Sequence, residues 1–295
     1  MNIKKIETKL NNLDKIYKIV ESNKNVTLIN ILKLSKSINN YFERSRYSKE
    51  LIKTIQNKYN VTHEFLKSST FSSLFKGKNH FSTIWVYITE VEKFDTDSYK
   101  KHELSLKKNF RLGTDVIVAI GKRAVEFATK NNYDIIFQRE INEVEVLSNI
   151  LPQYLENYLG ANGFHNIKFI INSSKISESY ITVFPIHENN FNFEQAKGIT
   201  HDLSHLAKVK IYPNTTSFID NEIHNYLTYV TLSLLTESSL IYEKYNLVVQ
   251  NKTLNDLEEK RRKIKIKLLN EKREIEVEQF SLLSSKRDML HSKGE

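Results

Sequence analysis

The first stretch of the chain carries an apolar residue at every third or fourth position. The spacing alternates 3, 4, 3, 4, 3, which is typical of a coiled-coil seam, and Ile16 and Ile19 widen the stripe. After a short polar patch, the apolar stripe resumes at Val26 and Ile29. The pattern predicts one long helix from residue 2 to about residue 75. The predicted seam residues are Ile3, Ile6, Leu10, Leu13, Tyr17 and Val20.

The middle of the chain changes to the short period of strands, with helical segments between them. Short apolar runs of this kind are typical of buried parallel strands, and alternation with helices predicts β-α-β units with right-handed crossovers. We therefore expect a small open α/β domain of Rossmann-like type. The predicted strands are 82–91, 115–120, 133–137, 166–171 and 180–186, and the predicted helices are 122–132 and 143–158, the second of them despite Pro152.

The last part of the chain returns to helical spacing, with a narrow apolar stripe among charged and small polar residues. A narrow stripe suits a two-helix coil better than a globular core. Neither terminal stretch, Met1–Lys76 or Asn214–Lys293, contains Gly or Pro, the residues that break helices. Leu268, Ile275, Leu282 and Met289 repeat every seven residues, with Leu269, Leu283 and Leu290 beside them.

These patterns together predict an α/β protein in which long N- and C-terminal helices form an antiparallel coiled coil. The small open α/β domain is inserted between the two helices. The expected boundaries are 1–75 for the N-terminal helix, 76–212 for the central domain and 213–295 for the C-terminal helix.

Composition narrows the functional classes. The chain has 295 residues and no cysteine, which excludes disulfides, thiolate catalysis and cysteine-ligated zinc. No apolar run approaches the ~18 residues of a membrane span, and the N-terminus lacks the apolar core of a signal peptide. The expected location is therefore cytoplasmic.

The charge is strongly positive and unevenly distributed. The net charge is +9, which favours an acidic partner such as nucleic acid, a membrane surface or a protein. The segment 258–273 holds eight Lys or Arg against three Glu. A solvated helix face is the alternative interpretation of this basic run.

Two segments were candidates for bound groups. The turn at Gly121 follows an apolar strand, but it has a single glycine where a phosphate loop needs G-x-x-x-x-G-K-[ST]. His201 and His205 have a spacing that can hold zinc on a helix, and Asp202 adds an oxygen. This segment lacks the glutamate of H-E-x-x-H, and a polar surface between loop and helix is the favoured interpretation. The sequence predicts neither a cofactor site nor a metal site.

No catalytic constellation is evident either. Glu237 and Ser238 lie on the long C-terminal helix without a histidine nearby, and a nucleophile needs a base within hydrogen-bond reach. The carboxylates of the terminal helices are expected to pair with Lys and Arg. We therefore predict no catalytic residues and a non-enzymatic chain.

The order of segments resembles the gamma subunit of F-type ATP synthases, in a diverged form like those of the F-type-like ATPases of wall-less bacteria. Glu237 and Ser238 match the first pair of the family's E-S-x-x-S-E stretch. The segment Val118–Ala124 resembles its strand ending in I-G-x-K-G, and Val183–His187 resembles its LLP-type strand. The family's S-D-x-G-L-C-G motif has no counterpart. The residues in register with the family's opening pattern are Ile3, Ile6, Lys9, Leu10, Leu13, Ile16, Lys18 and Ile19.

This resemblance implies a non-catalytic central-stalk subunit, the rotor shaft of a rotary ATPase. Alpha-like and beta-like subunits would form a hexameric ring, bind Mg-ATP and couple its hydrolysis or synthesis to rotation of this chain. An epsilon-like subunit at the foot and a specialised motor such as one for gliding motility are also implied. The implied location is the cytoplasmic face of the membrane, without a membrane span or nucleic acid.

The resemblance also implies two partner-facing surfaces on the C-terminal helix. A basic surface would face acidic elements of the beta-like subunits, and an apolar tip would sit in the bore of the ring as a bearing. The basic residues are Lys260, Arg261, Arg262, Lys263 and Arg273. The tip residues are Leu282, Leu283, Met289 and Leu290.

Two other classes remain open from the residues alone. The net charge and the basic run 258–273 would suit a nucleic-acid-binding coiled-coil protein, although the run lacks interleaved aromatic residues or a known reading module. A basic scaffold whose coiled coil self-associates would also fit the apolar pattern.

Overall fold

A computed structural model describes residues 2–60, 82–91, 98–162, 166–173, 179–186, 210–212 and 214–291. The helices in this part of the chain are α1 (Asn2–Tyr59), α2 (Lys100–Asn109), α3 (Lys122–Lys130), α4 (Val144–Asn162) and α5 (Thr215–His291). The strands are β1 (Thr83–Ile88), β2 (Val116–Ile120), β3 (Ile135–Arg139), β4 (Asn166–Ile170) and β5 (Ile181–Phe184).

The chain divides into two compact units. The terminal unit comprises Met1–Asn30 and Tyr245–Glu295, and the central unit comprises Ile31–Lys244. The first part of α1 and the last part of α5 belong to the terminal unit. The rest of these two helices, all five strands and the shorter helices belong to the central unit.

The sheet of the central unit has the order β3-β2-β1-β4-β5. Strand β1 pairs in parallel with β2 and β4, and β2 pairs in parallel with β3. The β-α-β prediction is confirmed for these four strands. It made no statement about the direction of β5, which runs antiparallel to β4. The connection between β4 and β5 is too short for the crossover of about a dozen residues that a parallel pair needs.

Helices cover both faces of the sheet, and alternate side chains of each strand point to opposite faces. Ile84, Val86 and Ile88 of β1 join the larger buried cluster, to which α1, α4 and α5 contribute. Trp85 and Tyr87 join a second cluster with residues of α2 and α3. The continuous apolar runs of β1 and β2 follow from this burial on both sides.

Within the central unit, α5 is buried around most of its circumference. Its apolar residues from Ile219 to Leu240 form much of the larger cluster. The Tyr226 hydroxyl donates a hydrogen bond to the Val183 carbonyl at 2.8 Å. Arg44 of α1 donates to the Tyr229 hydroxyl of α5 at 3.0 Å. A helix that is buried on most sides belongs inside a core, and this part of α5 takes that place although several of its buried residues are polar.

The helix boundaries differ in part from the expected ones. Helix α1 ends at Tyr59, and Asn60 adopts a left-handed backbone with φ 48°, a common way to end a helix. The expected continuation towards residue 75 lies outside the described residues. Helix α4 runs through Pro152 as predicted. Helix α2 was not predicted, since its single buried residue, Leu106, leaves little apolar periodicity.

Candidate functional site

The first 30 residues of α1 present a heptad seam. Ile3, Ile6, Leu10, Leu13, Tyr17 and Val20 are buried or half-buried, while most positions between them are exposed. The seam continues at the same spacing through Lys24 and Thr27. Val26 and Ile29 are exposed, so the expectation that the apolar stripe resumes there is wrong. Ile16 and Ile19 are exposed as well, and they do not widen the seam. Heptad geometry decides which side chains face inward, and these apolar residues fall outside that register.

The two helices of the terminal unit run side by side in opposite directions. At one end of the pair, Gln250 of α5 donates a hydrogen bond to the Thr27 hydroxyl at 3.0 Å. At the other end, the Lys272 ammonium lies 2.9 Å from the Glu7 carboxylate. Residue numbers fall along α1 as they rise along α5, so the pairing is antiparallel.

The α5 side of the pair has the same heptad spacing. Leu268, one of the predicted seam residues, is buried, whereas Ile275, the next predicted position, is exposed. Part of the seam is polar, which the apolar pattern alone did not indicate. The buried or half-buried positions at this spacing are Gln250, Leu254, Leu257, Arg261, Ile264, Leu268 and Glu271.

Arg261 lies at the middle of this pairing. Its guanidinium forms an ion pair with Asp14 and lies over the ring of Tyr17, 4.7 Å from the ring centroid. The ion pair is partly exposed, so it contributes little stability by itself. The ring contact adds a cation–π attraction and fixes the direction of the side chain. Arg261, which we expected to face a partner, is therefore engaged with α1 of the same chain.

The other predicted basic residues are exposed on α5. Lys260, Arg262 and Arg273 are exposed, and the exposed Lys263 lies 2.6 Å from the Glu259 carboxylate one turn earlier. This ion pair holds the pKa of Glu259 below its usual value. The helix therefore presents most of its predicted basic surface to solvent in the described structure.

The last turns of α5 carry exposed apolar side chains. Leu282 and Leu283 of the predicted tip are exposed. Val277 and Phe280 are exposed too, at 68% and 73%, and the sequence reasoning missed them because they fall outside the seven-residue repeat. Met289 and Leu290 lie in the helix, which continues to His291.

The turn at Gly121 has a structural explanation. Gly121 precedes α3 with φ 98°, and a Cβ there would lie 2.1 Å from the Thr89 carbonyl oxygen. The Thr89 hydroxyl accepts a hydrogen bond from the Ala124 amide at 3.1 Å. Glycine is required because the end of β1 approaches this turn closely, which leaves no need for a phosphate to explain it.

A polar cluster connects the carboxyl end of β1 to α5 within the central unit. The Glu90 carboxylate accepts hydrogen bonds from the Asn142 amide at 2.6 Å and from the Ser238 hydroxyl at 2.9 Å. The same amide nitrogen lies 3.3 Å from the Leu235 carbonyl and from the Ser239 hydroxyl. Burial raises the pKa of Glu90, although the two hydrogen bonds act in the opposite direction.

A second carboxylate lies beside this cluster. Glu237 is fully buried, and the Ser173 hydroxyl donates a hydrogen bond to it at 2.7 Å. Ser173 follows β4, so the two consecutive residues Glu237 and Ser238 contact the ends of two neighbouring strands. We call the set Glu90, Asn142, Ser173, Glu237, Ser238 and Ser239 the polar cluster. It contains no histidine or lysine to act as a base for a serine, and its geometry positions α5 on the sheet edge.

Sequence reasoning found only part of this cluster. Glu237 and Ser238 stood out through the resemblance of their segment to a family pattern. Glu90, Asn142 and Ser173 were missed, although Glu90 lies at the end of a predicted strand and the other two follow predicted strands. The carboxyl ends of parallel strands meet at one edge of a sheet, and this rule could have indicated that the three side chains converge.

The described residues contain no group of three or more His, Asp or Glu side chains arranged to hold a metal ion. His201, Asp202 and His205 lie outside the described residues. Among the described helices, none has a segment both apolar enough and long enough to cross a membrane.

Comparisons with known proteins give remote similarities. No protein-family model matches the chain. An uncharacterized protein of Ureaplasma parvum serovar 3 is 29% identical over 287 residues, which cover 96% of this chain and 94% of that protein. A chain of the Euglena gracilis mitochondrial ATP synthase (OSCP/F1/c-ring, rotational state 3) gives a TM-score of 0.40 at 13% identity, with coverage of 100% and 96%. A chain from the structure of that synthase's rotor in rotational state 1 gives a TM-score of 0.38 at 13% identity, and the match covers 93% of this chain and 98% of that chain.

Proposed function

We propose that this chain is the central-stalk subunit, or rotor shaft, of an F-type-like rotary ATPase. The observation that carries the proposal is the antiparallel pair formed by the two ends of the chain in the terminal unit. The contacts Thr27–Gln250 and Glu7–Lys272 set its direction. The order of segments and the motifs that resemble the gamma family supply the rest of the reasoning.

A shaft must be stiff, and the terminal unit meets this demand. Its two helices contain neither glycine nor proline, so each can continue without a break. A helical segment such as Tyr245–His291 extends about 70 Å at ~1.5 Å per residue. The seam between the helices is narrow, and their outer faces are mostly charged or polar. A narrow seam with polar flanks would let the pair turn inside a ring without a large apolar seal.

A shaft must also be fixed to the body that it turns. In the central unit, the polar cluster supplies such an attachment, because Ser238 and Glu237 bond to groups at the ends of β1 and β4. These hydrogen bonds can form at only one rotation of α5 about its own axis. Turning α5 about its axis would take Ser238 away from Glu90 and Glu237 away from Ser173, and losing these hydrogen bonds is costly for carboxylates that are buried or partly buried.

In this proposal the partners are alpha-like and beta-like subunits that form a hexameric ring and bind Mg-ATP. The chain itself is non-catalytic, and an epsilon-like subunit joins the central domain. The basic residues Lys260, Arg262, Lys263 and Arg273 face acidic elements of the beta-like subunits. The apolar tip, to which we add Phe280 as a neighbour of Leu283, is the bearing. A cytoplasmic motor for gliding motility is a specialised form of the same proposal.

Assembly with the ring subunits tests the proposal. The doubly substituted Phe280→Asp/Leu283→Asp chain, co-expressed with the alpha-like and beta-like subunits, should give at least a tenfold lower yield of complex or coupled ATPase rate. Leu112→Asp, a change at an equally exposed leucine of the central unit, is the matched control and should have no effect. Normal assembly and rate in the double variant would refute the bearing. ATP turnover by the purified chain alone would refute the shaft.

The nucleic-acid alternative is weakened by ion pairs within the chain. Arg261, Lys263 and Lys272 of the basic run 258–273 each pair with a carboxylate of the same chain. A titration with duplex DNA at increasing salt discriminates the two functions. Binding through phosphate contacts weakens steeply and linearly on a log–log plot.

A further inference from the structure

An acidic and apolar surface lies at the carboxyl ends of β1–β3, in contrast to the +9 charge of the whole chain. Ile141 is 66% exposed and stands between two crevices of the central unit, of 590 Å³ and 370 Å³, both of which it lines. Val91 lines the larger crevice and is 68% exposed. Two branched apolar side chains are thus presented to solvent at one concave site.

Carboxylates surround this apolar pair. Glu126 and Glu140 line the larger crevice, and Glu140 and Glu143 line the smaller one. All three side chains are exposed, and none forms an ion pair with another residue in the part of the chain that the structure describes. Glu90 also lines the larger crevice, and burial raises its pKa.

The cations nearby neutralise this surface only in part. The Arg123 guanidinium is directed away to Glu103, at 2.7 Å from its carboxylate. Lys122 and Arg139 stand exposed at opposite crevices. Three exposed carboxylates thus stand beside two exposed cations, which leaves an excess of one negative charge around the apolar centre.

We propose that this surface, formed by Val91, Ile141, Glu126, Glu140 and Glu143, binds a segment of a partner protein with an apolar side chain flanked by Lys or Arg. The apolar side chain would fill the larger crevice against Val91 and Ile141. The flanking cations would pair with the three carboxylates. An apolar anchor in a pocket with a complementary charged rim is the usual arrangement of a small binding surface. The inference uses the central unit alone and does not depend on the rotor-shaft role.

A peptide-display selection on the purified full-length chain tests the proposal. Selected peptides should share an apolar residue flanked by Lys or Arg. Their dissociation constants should rise at least tenfold on Ile141→Asp and on the isosteric Glu140→Gln/Glu143→Gln change, and should also rise with salt. Glu274→Gln/Glu276→Gln on α5 removes two exposed carboxylates elsewhere and serves as the charge-matched control, which should leave binding unchanged.

The other outcomes overturn the proposal. No enriched motif, or peptides whose binding ignores both variants, would mean that the surface is not a docking site. Enrichment of sequences like KIKIK, residues 263–267 of this chain, together with a dimer in sedimentation, would identify a second copy as the occupant. Unchanged emission of the buried Trp85 in each variant ensures that the comparison is made on a folded central unit.

Discussion

Replacing Asn142 with alanine tests whether the polar cluster holds α5 to the sheet edge. The Asn142 amide donates to the Glu90 carboxylate at 2.6 Å, and Glu90 also accepts a hydrogen bond from Ser238 of α5. The substitution leaves Glu90 with one of these two donors in a partly buried position. No compensating donor is introduced, because alanine has no polar side-chain atom.

The size of the effect follows from the geometry. A hydrogen bond to a charged group contributes about 1.5–3 kcal/mol, and removing the donor leaves part of the carboxylate's desolvation cost uncompensated. The contacts of the same amide to Leu235 and Ser239 are 3.3 Å long, so they add little. We expect Asn142→Ala to lower the free energy of unfolding of the central unit by about 2–3 kcal/mol.

Urea unfolding at pH 7.5, followed by Trp85 fluorescence, measures this change. Trp85 is the single tryptophan of the chain and is buried in β1, so its emission reports on the central unit. Asn149→Ala is the matched control, because its amide donates only to a backbone carbonyl on the exposed side of α4, at 3.2 Å. That control should change stability by less than ~0.5 kcal/mol.

A double-mutant cycle with Glu90→Gln makes the test specific. With a neutral acceptor at position 90, the same Asn142→Ala change should cost only about 1 kcal/mol, the usual contribution of a neutral hydrogen bond. An equal cost in both backgrounds, or a cost below ~0.5 kcal/mol in the original chain, would show that Asn142 does not support the carboxylate.

Two further substitutions test the same sheet edge, with Trp85 emission in urea as the measurement. Gly121→Ala should lower the free energy of unfolding by about 3 kcal/mol or more, because φ is positive and a Cβ would lie 2.1 Å from Thr89. Gly160→Ala, where a Cβ would have no atom within 4 Å, should instead stabilise α4 by ~0.5–1 kcal/mol. Equal effects of the two substitutions would contradict the close approach at Gly121. Burial raises the pKa of Glu90 above 4.5, so the folded state binds its proton more tightly and stability falls as pH rises from 4.5 through the folded pKa. Glu90→Gln should remove that part of the pH dependence of stability. If the variant and the original chain show the same dependence of stability on pH between pH 4 and 8, the raised pKa of Glu90 is refuted.

The seam of α1 could be predicted from the sequence because heptad spacing is a local property. Leu10 and Tyr17 were recognised as inward positions from their spacing alone, and both are half-buried. Lys24 and Thr27 were not, since a search for apolar residues passes over polar ones. Thr27 is buried because the geometry of the helix places it there and Gln250 supplies a hydrogen bond. That bond depends on the register with α5, a distant segment of the chain.

The strands were predictable from their apolar runs. The short connection between β4 and β5 could also have indicated that β5 is antiparallel, but this inference was not made. The polar cluster was harder to predict for a different reason. Glu90 and Ser173 follow β1 and β4, which are neighbours only because of the strand order of the sheet. Asn142 follows β3, two strands away from β1 on the side opposite β4. Their convergence requires the complete topology, which no single segment contains.

The position of the cluster on α5 has a mechanical consequence for the central unit. Apolar burial is non-directional, so it fixes the axial position of a helix less sharply than hydrogen bonds to fixed partners do. Glu237 and Ser238 supply such hydrogen bonds, since their partners Ser173 and Glu90 lie at the ends of sheet strands. A shift of one helical turn, about 5.4 Å, would separate both pairs beyond hydrogen-bond distance. The buried Glu237 and the partly buried Glu90 would then lack these donors, which is costly, so the cluster favours a single register of α5.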